Sequence, residues 1–381
     1  MILPPRGDFM LDPGITFLNH GSFGATPRPV FECYQQWQQE LERQPVEFLG
    51  RRAAALMGES RAALGEYLGT AADNLVYVTN ATTGLNIVAR SLELGPGDEV
   101  LASDHEYGAL DRTWRFLSKK RGFHYINHIL PAPIAGEEEF IESVWSAVTP
   151  STRVIFLSHI TSPTAITFPV KEICRRAREH GILTVIDGAH APGQIDLDLE
   201  DLGADIYSGN LHKWLCAPKG AAFLYARPEM QPRIEPLVVS WGWESDFPTA
   251  SRFVDEQEWT GTRDLAAFLA VPAAITYQKE YDWPRVREHC HGLLDWALSR
   301  IRERYGLPQL HPDTSAWYAQ MGTAELPPGI DIIALKTAMY DQYRVEVPLI
   351  EWNGRKLVRV SIQAYNTPSD VNRLLEALPA A

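Results

Sequence analysis

Leu183-Thr184-Val185-Ile186-Asp187-Gly188-Ala189-His190 is an apolar run closed by an aspartate and a turn dipeptide. A shorter apolar run follows and leads into Tyr207-Ser208-Gly209-Asn210-Leu211-His212-Lys213-Trp214. Continuous apolar residues bounded by glycine read as a buried strand. Outward from this strand the pattern alternates. Leu75–Val78, Glu99–Ala102, His124–Ile129 and Val154–Leu157 read as strands, with helical patterns at Thr83–Leu92, Ala109–Arg121, Glu137–Val148 and Val170–His180 between or after them. Ala204–Tyr207 and Ala221–Tyr225 are shorter strands. Strands alternating with helices predict an α/β fold built on a mostly parallel seven-stranded sheet with both faces covered. Functional groups in such sheets collect beyond the carboxyl ends of the strands, which is where Asp187 falls.

The flanks differ. Residues 1–30 are rich in Gly and Pro and read as an extended N-terminal arm rather than a packed element. Residues 30–68 carry helical patterning. Beyond about residue 260, Asp264–Glu280 and Pro284–Tyr305 read as long helices. A helix at Ile332–Tyr343, strands at Val345–Val347 and Leu357–Ser361, and a last helix at Asp370–Leu378 follow. The expected division is an arm at 1–30, a large domain at 31–260, and C-terminal helices with a small α+β domain at 261–381.

With 381 residues, 45% hydrophobic and 22% charged, the chain is long enough for a large core and a second unit. A formal charge of −13 argues against general affinity for nucleic acid or anionic membrane. An anionic ligand would need local positive potential. Cys33, Cys174, Cys216 and Cys290 lie far apart, so reduced thiols are expected rather than a disulfide scaffold or metal site. Met1–Asp8 shows no apolar signal core, and no apolar stretch reaches the ~20 residues of a membrane span. A soluble, cytoplasmic protein is the expectation.

Lys213 alone says little, because most lysines are solvated. Here it lies among Leu211, Trp214 and Leu215, and a partly buried lysine has a lowered pKa. Asp187 alone could cap its turn. Together they suit pyridoxal 5′-phosphate (PLP): the lysine would join the cofactor aldehyde as a Schiff base, and the aspartate would keep the pyridine nitrogen protonated. Thr79-Asn80-Ala81-Thr82-Thr83-Gly84 joins a strand to a helix, where hydroxyls and free amides serve equally as an N-cap or as a phosphate site. His105 or Tyr107, after another strand, could stack on a flat ring. His190 packs over that ring, reaches its phenolic oxygen, or is a satisfied histidine at the sheet mouth. Arg359 interrupts the apolar strand Leu357-Val358-Arg359-Val360, so it needs an anion, either a substrate carboxylate or an internal salt bridge. Val239–Phe247 is rich in aromatics and reads as a substrate entrance, a dimer contact or plain packing.

These motifs resemble the class V aminotransferase family of fold-type I PLP enzymes, and within it the isopenicillin N epimerase-like branch. The carriers are Phe17–Gly24, Thr79–Asn86, Asp104–Ala109, Thr161–Thr164, Asp187–Gly193, Asn210–Trp214, Trp259–Asp264 and Arg359–Ser361, in family order over nearly the whole chain. The resemblance implies the PLP-dependent transferase fold, with Lys213 as the Schiff-base lysine and Asp187 as the partner of the ring nitrogen. It puts Thr82, Thr83, Ser208 and His212 at the phosphate, and His105 at the stacking position with Tyr107 as the alternative. Ser162 and His190 would approach the phenolic oxygen. Gly261 and Thr262 would reach the phosphate of a neighbouring subunit, which implies a homodimer with shared sites. Arg359, with Asn19 and His20, would contact the substrate. Cysteine desulfurases of the family carry a nucleophilic cysteine in the loop before the Arg359 strand; Tyr343–Gly354 has none, which argues against persulfide formation.

The implied activity begins with loss of the Cα proton from an amino acid or a peptide-borne amino acid. That step is common to epimerisation, transamination and β-elimination. An epimerase-like reaction is the first expectation. A C–S β-lyase on cysteine conjugates or sulfoxides is the alternative, with a transaminase or a catalytically silent scaffold behind it. Epimerisation needs a second acid besides Lys213, for which Tyr107 and His20 are the candidates.

Overall fold

The computed structural model describes residues 3–380, so Met1, Ile2 and Ala381, at the two ends of the expected arm and C-terminal unit, lie outside it. Seven strands form the central sheet: β1 (Leu75–Val78), β2 (Glu99–Ser103), β3 (His124–His128), β4 (Thr152–Ser158), β5 (Leu183–Asp187), β6 (Ile206–Asn210) and β7 (Ala222–Ala226). Their order is β1-β7-β6-β5-β4-β2-β3. β7 runs antiparallel to both neighbours, and the other pairings are parallel. The expected mostly parallel seven-stranded sheet is therefore present. Central strands such as β4, with Val154 to Ser158 all buried, show why these segments read as unbroken apolar runs. The covering helices follow the helical period. Val170–Glu179 buries Val170, Ile173, Cys174 and Ala177, one stripe facing the sheet.

Three differences from the sequence reading have identifiable physical causes. β6 begins later than expected and takes in the polar Ser208-Gly209-Asn210, whose backbone pairs with Phe223 and its neighbours on β7. Asp205, expected inside the strand, instead accepts from the Thr184 N–H and hydroxyl at 2.8 and 3.0 Å. The helix expected over Asp264–Glu280 is broken into Ala266–Leu269 and Val271–Glu280, because Pro272 supplies no N–H to the turn before it.

The third difference concerns the two ends of the chain. β8 (Met321–Leu326), β9 (Leu349–Trp352) and β10 (Arg355–Ser361) form a small antiparallel sheet in the order β9-β10-β8. β9 and β10 are joined through Asn353-Gly354, both at positive φ (47° and 75°), a two-residue hairpin turn inside what read as a loop. The N-terminal arm is packed, not loose. Thr16–Phe17 pairs in parallel with Val345–Glu346, and Leu18 accepts from the Ser361 N–H at 2.9 Å. Leu18 and His20 are fully buried. Strand partners more than 300 residues away cannot be inferred from local periodicity.

Candidate active site

The carboxyl ends of the parallel strands open onto a cavity of about 500 Å³. β5 delivers Asp187 to it, the turn after β6 delivers Lys213, and the loop after β4 delivers Ser162. Asp187 is 3% exposed and pairs in register with Ser158 of β4 and Ser208 of β6. Burial raises its carboxyl to about 6, against the pull of the Ala189 N–H, which donates to Oδ1 at 2.9 Å, and of Lys213. Lys213 is lowered to about 7, chiefly by burial and then by Arg359, with Asp187 opposing. An amine poised near neutrality is a competent nucleophile toward an aldehyde. Its Nζ lies 3.1 Å from His190 Nε2, and burial holds His190 far below the usual histidine range.

The helix Ala81–Ser91 points its N-terminus at the same cavity. Asn80 caps it by accepting from the Thr83 N–H at 2.8 Å, and Asn210 at the end of β6 accepts from the Ala81 N–H at 2.9 Å. Thr82, between them, lines the cavity, so the capped turn also stands where an anion would meet a helix N-terminus. Gly84 lets this helix sit directly on β6, since a Cβ there would collide with the Ser208 hydroxyl. Ser208 is consequently sealed under the helix, where it donates to the Phe223 carbonyl at 2.7 Å. It does not line the cavity, contrary to the phosphate-binding expectation. Thr82, Thr83 and His212 do.

Arg359 of β10 is 4% exposed. It donates to the Ser162 carbonyl at 2.6 Å, the Ser162 hydroxyl at 3.2 Å and the Ser22 hydroxyl at 3.2 Å. Among the described residues no carboxylate pairs with it, and its Nε has no partner. The internal salt bridge considered for it is therefore absent from the described residues, and burial draws the guanidinium down to about 10. Ser22 and Ser162, both in the cavity wall, place this cation at the edge of the site.

Other expected residues fall elsewhere. His105 is 1% exposed and turned into the core, against Trp352 and Phe168, with Nδ1 2.7 Å from the Thr164 hydroxyl. It does not line the cavity, whereas Tyr107, 44% exposed, does. The two-residue step across the turn after β2 sends one ring inward and the other outward. Asn19 and His20 also lie behind the wall. Asn19 donates to Glu346 at 3.0 Å, and His20 holds Tyr365 OH at 3.0 Å and the Lys213 carbonyl at 2.9 Å. Of the two acids considered for epimerisation, His20 is thus locked away and Tyr107 reaches the site. In the short helix His20–Phe23 it is Ser22 and Phe23 that face the cavity. These two, with Asn80 and Asn210, are site residues the sequence reading missed. Gly24, at φ 71°, ends that helix, and a side chain there would collide with the His212 carbonyl. Gly261 and Thr262 do not line the cavity of their own chain, and Thr262 is exposed.

Among the described residues no helix is long and apolar enough to cross a membrane. The family model for aminotransferase class V matches residues 25–374. Isopenicillin N epimerase of Amycolatopsis lactamdurans is 37% identical over 385 residues, covering 98% of this chain and 96% of that protein. A probable chloroplastic L-cysteine desulfhydrase of Arabidopsis thaliana is 28% identical over 406 residues, covering 96% of this chain and 83% of that protein. Among solved structures, a C-DES mutant with glycine covalently linked to its PLP cofactor matches with a TM-score of 0.84 at 22% identity, covering 98% of each chain. At that identity the likeness is one of fold.

Proposed function

The chain belongs to the aminotransferase class V family and is a PLP enzyme, and from that premise we propose that it acts at the Cα of an amino acid, or of an amino acid carried in a peptide, in an epimerase-like reaction. The observation that carries this reading is Arg359: a buried guanidinium that no carboxylate of the described residues pairs, at the edge of a cavity that also holds a near-neutral lysine and a buried aspartate. A cation so placed is suited to an anionic substrate group, and a carboxylate takes it in bidentate form.

The residues present fit the cofactor. Lys213 would hold its aldehyde carbon, and Asp187, whose Oδ1 is occupied by Ala189, would accept the ring N–H on Oδ2. Thr82, Thr83 and His212 would hold the phosphate, Ser162 and His190 would stand near the phenolic oxygen, and Tyr107 would cover the ring. When bound, PLP supplies the electron sink that makes loss of a Cα proton accessible. Lys213 Nζ then takes that proton on one face, and Tyr107 is the acid in reach of the cavity for the other. The exposed segment around Gly261 and Thr262 fits a homodimer in which each subunit completes its partner's phosphate site.

A C–S β-lyase is the second reading, favoured by the L-cysteine desulfhydrase relative at 28% identity. The two separate in one experiment. Purified enzyme is incubated in D2O with isopenicillin N or with L-cysteine, and α-deuteration, configuration and released pyruvate are followed. Inverted, deuterated substrate is the expected result; pyruvate without inversion overturns the epimerase reading. Lys213→Ala should abolish the visible absorption of lysine-linked cofactor, and a wild-type protein that takes up no PLP would defeat both readings.

A further inference from the structure

Trp214 is fully buried directly after Lys213, and its indole N–H donates to His190 Nδ1 at 3.3 Å. The other nitrogen of the same imidazole, Nε2, lies 3.1 Å from Lys213 Nζ. An indole nitrogen can only donate. His190 Nδ1 must therefore present its lone pair to Trp214, and a neutral ring then carries its proton on Nε2. That proton faces Lys213, so the amine has to accept it and must itself be unprotonated. An imidazolium is excluded by the same contact, because it would set one N–H against another.

Both side chains are buried and both backbones are anchored. Trp214 packs on His20 with ring centroids 4.9 Å apart, and its carbonyl accepts from Gln278 at 2.8 Å. Gly193 passes so close that a Cβ would strike the Trp214 backbone. The His190 carbonyl accepts from Gln194 at 2.7 Å. The charged and titratable groups facing the pair are Asp187 from β5, His212 beside Lys213, Arg359 from β10 and Tyr107 in the cavity wall. Of these, Asp187 alone favours a protonated lysine. His190 would oppose it only while its Nε2 carries hydrogen.

We propose that Trp214 is a positioning residue that fixes His190 as the Nε2–H tautomer, thereby holding Lys213 as a neutral amine and leaving a permanent hydrogen-bond donor toward the cavity. This rests on the reading of Lys213 as the cofactor-linking residue. The test uses the full-length chain. Trp214→Phe keeps an aromatic ring and removes the donor; benzothienylalanine at the same position is closer in shape and also lacks the N–H. In ¹⁵N-histidine-labelled protein, with the His190 signals assigned by His190→Gln, the wild type should show a protonated Nε2 and a bare Nδ1. Both variants should show the opposite tautomer or a mixture. Lys213 could then donate to a bare Nε2, and the pKa that governs PLP uptake by cofactor-stripped protein should rise. A rise of one unit makes uptake about fivefold slower at pH 7. In a His190→Phe background, Trp214→Phe should leave that pKa unmoved. An unchanged tautomer and an unchanged pKa in the benzothienylalanine protein would overturn the proposal. Covalent PLP uptake surviving in Lys213→Ala would instead overturn the reading of Lys213, and the tautomer measurement would still stand.

Discussion

Replacing Arg359 with methionine separates the cost of this guanidinium from its use. The side chain is 4% exposed and its bonds go to Ser162 and Ser22, with no counter-charge among the described residues. Burial that draws it down to about 10 disfavours the cation by roughly 3 kcal/mol. Methionine relieves that penalty but leaves the Ser162 carbonyl without its donor, at a cost of about 1–3 kcal/mol. The two terms nearly cancel, so the apparent melting temperature of Arg359→Met should stay level or rise slightly. Substrate recognition should suffer far more. Losing two charge-assisted bonds to a carboxylate, each worth about 1.5–3 kcal/mol, predicts a KM raised roughly a hundredfold or more. The amide of the same amino acid, which lacks the carboxylate, should be turned over almost equally by both proteins. Differential scanning fluorimetry and steady-state kinetics on the substrate and its amide check this. A melting temperature lowered by many degrees with an unchanged KM would refute the reasoning, and would make Arg359 a structural member of the small sheet.

Two further substitutions test where the site lies. Tyr107→Ala should weaken PLP affinity about tenfold through lost stacking. His105→Ala should leave that affinity nearly unchanged but lower stability by about 2–4 kcal/mol, since it opens a cavity beside Trp352 and removes one of the two partners of the Thr164 hydroxyl; equilibrium dialysis and urea titration separate the two effects. Glu106 is buried, bonded to Ser103 at 2.6 Å and to the Ser158 N–H and hydroxyl at 2.8 and 2.7 Å, and burial raises it to about 8. The folded state thus retains a proton that the unfolded chain releases above 4.5, so this stabilisation is complete below 4.5 and lost as pH rises through about 8. Glu106→Gln, which keeps an acceptor for Ser158 and cannot ionise, should flatten the decline in urea midpoint over that window, by an amount on the order of 2–4 kcal/mol.

The central sheet was legible because strands buried on both faces must be apolar at every position, as Val154 to Leu157 are. β8 and β9 escaped because they mix Gly322, Thr323 and Glu325, or Glu351, with apolar residues. The grouping of Asp187, Lys213 and Arg359 was legible for a chemical reason: ionisable groups embedded in apolar runs are costly unless a ligand uses them. Which neighbour faces the ligand was not. His105 against Tyr107, and His20 against Ser22, differ only in the direction a turn gives each side chain. Ser208 was misplaced because its motif position says nothing of the helix that Gly84 allows to close over it.

His20 hangs the Lys213 carbonyl from Tyr365 OH, joining three segments separated by most of the chain. During synthesis the lysine emerges well after the histidine, and the tyrosine well after the lysine. The turn carrying Lys213 therefore lacks one of its anchors until the segment bearing Tyr365 has left the ribosome. A cofactor arriving before that point meets a sheet whose strands are in place and a lysine whose backbone is still without its last tether.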